Sequence, residues 1–293
     1  MLGMPNSDSN PDKGELFMEP DYSLTTLQVY TAFARRVLAK ERSLRIFSAV
    51  QHEAEAVISR PSWVPQWNRA ITEPLIPIGQ AVNRMPIYSV PDESIFTPDC
   101  KALDLRGVKI GVITGHTDTL TYPNPGDTDI DPIDTISRIE DILQSQSQQL
   151  TLGLLRTLCW TLTVGRGNDF WRNAVDHWAT FQDLWLELCK CHSTKSWQRI
   201  GFSSNEDFKR MGRRPFCDFL GSATHGRRVF VTAQGLLGLG PAALQPGDIV
   251  VALFGGFTPF VLRHVENYYL HGQMDGEVFE DWEEGMAEAE GLV

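Results

Sequence analysis

Two pairs of side chains have the composition of an acid/base couple. His116 and Asp118 follow a strand-like run, and His271 and Asp275 lie in Leu270-His271-Gly272-Gln273-Met274-Asp275-Gly276. An imidazole beside a carboxylate can carry a proton near neutral pH. His116, Asp118 and His271 together would suit a small hydrolase or an NAD-consuming enzyme, provided the three meet in one pocket. Neither pair has a Ser or Cys nearby in a recognised nucleophile setting. A histidine beside a turn aspartate more commonly bonds the backbone. The expectation is therefore no catalytic residue and no enzyme activity.

Three further groupings invite the same scrutiny. Cys189-Lys190-Cys191-His192 could hold a metal, but zinc sites want a second ligand pair at matching spacing, and none is evident. Gly235, Gly238 and Gly240 superficially suggest a phosphate loop. Their order is wrong for the dinucleotide fingerprint and no helical pattern follows, so they are read as hairpin glycines supplying positive φ. Lys209, Arg210, Arg213, Arg214, Arg227 and Arg228 form the one basic cluster. It could meet phosphate, an acidic partner or the chain's own acidic tail; solvated surface charge is the simpler reading. No metal and no cofactor is expected.

Composition narrows the classes. The chain has 293 residues, 42% hydrophobic, with eight Trp and fifteen Phe, enough to bury a core. Net charge is −11. Seven acidic and no basic residues follow Gly276; without them 30 acidic residues face 26 basic ones, a net of −4. A net-acidic chain repels polyphosphate, so nucleic acid is not an expected partner. Five cysteines, an odd number in a chain of this length, suit a reducing compartment. Residues 1–20 lack the basic start and apolar run of a signal peptide. The apolar run Ile249–Leu262 is broken by Gly255, Gly256 and Pro259, too short to span a bilayer as a helix. A cytoplasmic protein with no membrane partner is expected.

These residues need elements to carry them. Residues 1–20 read as a disordered lead-in. Leu27, Tyr30, Phe33, Ala34, Val37 and Leu38 form a helical stripe that Ser23 could cap. A second helix follows with Phe47, Val50, Ala54, Val57 and Ile58 inward, stopped by Pro61. Pro61–Trp67 reads as an extended segment pinned to the surface by two indoles. Residues 101–120 suggest a strand pair with a bulge or bend at Gly107. Helices are expected from Asp131, over 150–162, over 169–191 and from Asn205. In the third, Trp171, Trp178, Phe181 and Trp185 share an apolar face. From Arg227 the period changes to two, giving a β-meander over 226–276, closing with 101–120 into a small barrel. The fold class is α+β: a mainly helical region over 21–225, a meander over 226–276 in the same domain, and an acidic tail over 277–293.

A series of blocks carries a family resemblance. It comprises Gly226-Arg227-Arg228, then Gly238-Leu239-Gly240-Pro241, Pro246-Gly247-Asp248, Gly255-Gly256, Pro259-Phe260 with Arg263, and His271-Gly272-Gln273-Met274-Asp275-Gly276-Glu277. Upstream, Ser62-Trp63-Val64-Pro65-Gln66-Trp67 is similar to an "SWVPDW" block, with Gln66 replacing the acid. In this order the blocks resemble the C-terminal region of fungal heterokaryon-incompatibility (HET-domain) proteins, over about Tyr22 to Glu277. The family's signalling blocks, "GYxWG" and a "WIDAICINQ"-like run, have no counterpart here. The family also places a longer strand pair before "HG-MDGE" where this chain has only His264–Leu270, which implies a shortened or open β-unit.

The resemblance implies a non-catalytic regulatory or recognition region acting in fungal non-self recognition and cell death. Partners would be other HET-family or non-self-recognition proteins, contacted through rims at 233–248 and 255–259.

Overall fold

The computed structural model describes residues 17–18, 20–50, 61–68, 95–96, 102–121, 138–139, 141–142, 151–163, 178, 181–182, 185, 220–221, 223–256, 258–265, 267–273 and 275–276, the backbone alone from 265 onward. The lead-in over 1–16, the Cys189–His192 run, the helix from Asn205, the basic residues at 209–214 and the acidic tail lie outside these residues.

A curled antiparallel sheet organises the chain. Its strands are β1 (Gly107–His116), β2 (Arg227–Thr232), β3 (Leu237–Pro241), β4 (Ile249–Leu253), β5 (Phe260–Val265), β6 (Asn267–Gln273) and β7 (Asp275–Gly276), in the order β6-β5-β4-β1-β2-β3-β7. The C-terminal strands therefore do not run as one meander. β2–β3 is a hairpin and β4–β5–β6 a second unit, and β1 is inserted between the two. Its first half pairs with β4 (Gly107↔Leu253 to Val112↔Ile249) and its second half with β2 (Ile113↔Thr232 to His116↔Phe230). Register shifts at 109/111 and 113/115 bend it, as bulges do.

In place of an expected strand pair near 101–120, β1 is a single ten-residue strand. Isolated bridges at Leu103 and Leu120 flank it. Gly107 opens the strand, and the irregularities fall deeper in. The sheet curls into a half-barrel, and its edges meet through the chain itself. β6 pairs with β5 as far as Gln273↔Phe260, while β7 pairs with β3 at Leu239↔Asp275 and Gly238↔Gly276. One residue separates these two edge strands, so the strand order returns on itself despite the short 264–270 connection.

Helices cover both halves, which is why the strands lack simple inside/outside alternation. In β2, Val229 and Val231 point to one core and Phe230 to another, all fully buried. Helix α1 (Thr26–Glu41), the 3-10 segment Leu44–Ala49, Val50, Trp63 and Val64 pack with Val251, Leu253 and Phe260 of β4 and β5. Helix α2 (Leu152–Thr163), Ile139, Phe181, Trp185, Leu220 and Ala223 pack with Val229, Val231, Leu237 and Leu239 of β2 and β3. Phe181 and Trp185 are core, with Trp178 stacked on Phe181 at 5.9 Å. The inner face of the curl holds Ile113, Phe230, Leu244, Val250 and Val261.

Two local expectations are corrected. Thr25, not Ser23, caps α1: its hydroxyl accepts from Gln28 N–H, and the Gln28 side chain accepts from Thr25 N–H. Ser23 instead donates its N–H and hydroxyl to Asp21 Oδ1. The expected second helix is a 3-10 segment over its described part, ending at Val50, whose backbone is extended; residues 51–60 are not described.

Candidate functional site

The family blocks meet around the loop joining β3 to β4. This loop crosses from one half of the sheet to the other, so its backbone needs partners from both. Asp248 closes it: its Oδ2 accepts from Gln245 N–H at 2.7 Å, and Gly247 at φ +94° makes the turn. Asp248 is only 2% exposed. Burying that carboxylate requires a counter-charge, and Arg263 of β5 supplies it. Arg263 Nε donates to Asp248 Oδ1 at 2.7 Å, and Nη2 donates to Oδ2 at 2.9 Å and to the Ala243 carbonyl at 2.7 Å. The fork of the guanidinium matches the carboxylate geometry. The loop backbone continues the ladder to β1, through Gly247 N–H to Ile113 O and Ile113 N–H to Asp248 O.

Arg228 holds the same loop from β2. Its Nη1 donates to the Leu244 carbonyl at 3.2 Å, and Nε donates to Thr119 Oγ1 at 3.3 Å. The same Nη1 lies 3.3 Å from His116 Nε2 and 3.4 Å from Nδ1. His116 Nδ1 is 2.8 Å from the Thr117 carbonyl. A carbonyl only accepts, so Nδ1 carries the proton there and Nε2 is left to accept. His116 is thus occupied by the backbone and an arginine. Asp118 is exposed, and among the described residues no hydrogen bond joins it to His116. The His271 backbone lies in β6; its side chain is outside the described residues.

Gly238 and Gly240 belong to neither a phosphate loop nor a turn. Both lie within β3, and neither has positive φ. A Cβ on Gly238 would stand 2.7 Å from Phe230 Cε1, and one on Gly240 2.7 Å from Leu244 Cδ2. They leave room for the Phe230 ring inside the curl. The hairpin reading holds only for Gly235, at φ +86° between Thr232 and Leu236. Pro241 pairs with Arg227 across β3–β2. Gly226 precedes β2 at positive φ, as Gly255 does in the turn after β4, and Gly256 abuts the Phe260 ring.

The upstream block is internal as well. Trp63, Val64 and Pro65 are buried. Trp67 meets Tyr30 and Phe33 edge-on at 5.1 and 5.3 Å, and Trp63 lies 6.2 Å from Phe96. The segment turns at Val64 N–H to Pro61 O instead of running extended. The indoles anchor α1 to the sheet.

Burial corrects two further expectations. Arg227 is 4% exposed and Arg228 is engaged with the loop, so neither contributes to a solvated basic face. Gly255, Gly256, Thr258 and Pro259 are buried, and β3 occupies 237–241, so among the described residues the exposed rim shrinks to 233–234 and 245–247, Pro246 included. Gly272, Asp275 and Gly276 lie on β6 and β7, while Met274 and Glu277 are outside the described residues. Residues that the motif reading missed are Ala243, Leu244, Thr117 and Thr119. Three of them, Ala243, Leu244 and Thr117, act through carbonyl oxygens, which carry no residue-type signal.

Comparison with known proteins agrees with this architecture. Residues 167–285 match the family model of the Het-6 beta-barrel domain. The chain is similar to the fungal heterokaryon-incompatibility proteins. It is 26% identical to heterokaryon incompatibility protein 6, OR allele, of Neurospora crassa, across 91% of this chain and 47% of that protein. This HET-like chain thus spans about half the length of the curated relative it matches. No solved structure matches it. No helix among its described residues is long and apolar enough to cross a membrane.

Proposed function

We propose that this chain is a non-catalytic regulatory or recognition region of a heterokaryon-incompatibility protein, acting in non-self recognition and cell death by binding. One observation carries the reading. The ionisable side chains described in the family blocks are buried or bonded to structure: Asp248 and Arg263 to each other, Arg228 to the loop carbonyl and His116. Such blocks shape a scaffold, and recognition falls to what the scaffold displays. The partners would be other HET-family or non-self-recognition proteins in the cytoplasm.

The test is co-expression in a filamentous fungus. The chain is produced beside a full-length HET-domain protein whose activation kills the cell, and survival is scored. A change in survival that tracks the chain's dose supports the reading. Survival identical with and without the chain, across several such effectors, counts against it.

A further inference from the structure

The outer face of α2 is apolar where a surface helix should be polar. Leu155, Leu158, Cys159 and Leu162 are buried against the sheet, yet Leu152 is 54% and Trp160 40% exposed. Leu152, Arg156 and Trp160 stand at i, i+4 and i+8, so they line one stripe. Arg156, exposed between them, is the one charged residue of the helix. A Trp and an Arg on one stripe have the character of a binding hot spot, and Leu152 extends its apolar area.

The chain itself holds a segment that fits. α2 lies against β3 and β7, and β7 ends at Gly276, so the C-terminal segment leaves the sheet beside this helix. That segment has seven acidic and no basic residues. Phe279, Trp282 and Met286 recur in it at helical spacing among the acids. Its charge complements Arg156, and its apolar residues complement Leu152 and Trp160. Reach is sufficient: α2 is about 18 Å long and residues 277–290 would cover about 21 Å as a helix. The family match also continues past β7 to residue 285, which makes the start of the segment part of the domain.

We infer that residues 277–290 dock in cis on the Leu152–Arg156–Trp160 stripe of α2, covering it and holding β7 in place at the sheet edge. The inference does not depend on the role proposed above.

Photo-crosslinking on the full chain tests this. p-Benzoylphenylalanine replaces Trp160 in one variant and Leu152 in another, both exposed positions where folding is expected to survive. Irradiation should give an intramolecular link to a peptide within 277–290, on the monomer band. The link should be lost when Phe279→Ser and Trp282→Ser are added and the far-ultraviolet circular dichroism is unchanged. A link to another copy, links only to other segments, or no link from either position would overturn the inference.

Discussion

Arg228 and Arg263 come from strands on opposite sides of β1 and donate to consecutive carbonyls of one loop, at Leu244 and Ala243. The loop is held by both halves of the sheet, and Asp248 neutralises the second of its two cations. Asp248→Ala leaves Arg263 without its carboxylate and frees Gln245 N–H, and is expected to cost about 3 kcal/mol. Arg263→Met is expected to cost at least as much, because it leaves the carboxylate, 2% exposed, without its counter-charge. The double variant should be less damaged than the sum of the two by about 1–3 kcal/mol. Urea unfolding midpoints measure this, and additive losses would refute the coupling.

Gly238→Ala places a methyl against the Phe230 ring within a filled interior. Overpacking of this kind costs about 1–3 kcal/mol. Adding Phe230→Leu should restore part of the loss, since the shorter side chain vacates the space the methyl needs. Thermal unfolding of the single and double variants checks this; a double variant no better than Gly238→Ala would contradict the packing role.

Gly247→Ala meets nothing within 4 Å, so its cost should be conformational alone. At φ +94° a side chain is strained, and about 1–2 kcal/mol is expected. No shrinking of a neighbour should rescue it, unlike the Gly238 variant. Rescue by Leu244→Ala would show that the two glycines do the same job.

At the N-terminal helix, Thr25→Ala removes the hydroxyl that caps Gln28 and should cost about 1 kcal/mol. Thr25→Ser keeps that hydroxyl and should leave the cap intact. Amide exchange in the first turn of α1 is the direct readout. Just upstream, the Ser23 hydroxyl first and its N–H second hold the Asp21 carboxyl below its ordinary value. The sign follows from that direction: the turn is favoured above the ordinary carboxylate range and weakens as pH falls through the lowered value. The amide of Ser23 should therefore exchange faster in acid.

Much of this fold is legible in the sequence because its signals are local. The α1 stripe, the Trp178–Phe181–Trp185 face and the period-two run from Arg227 all depend on residues close together in the chain. The order of the strands does not. That β1, over a hundred residues upstream, lies between β2 and β4 is a long-range pairing, and a continuous meander satisfies the same local pattern. The glycines mislead for a related reason. Gly235 and Gly238 look alike in sequence, but one needs positive φ and the other only needs to lack a Cβ next to Phe230. Burial of Arg227 was equally hidden, since a basic cluster reads as surface until the sheet closes over it.

The proposed role is binding without covalent chemistry, and NAD turnover by the purified chain is its sharpest check. The expected result is no NAD loss above the protein-free rate, with unchanged viability of cells producing the chain alone. NAD consumption that disappears in Asp118→Asn or His271→Ala would contradict it.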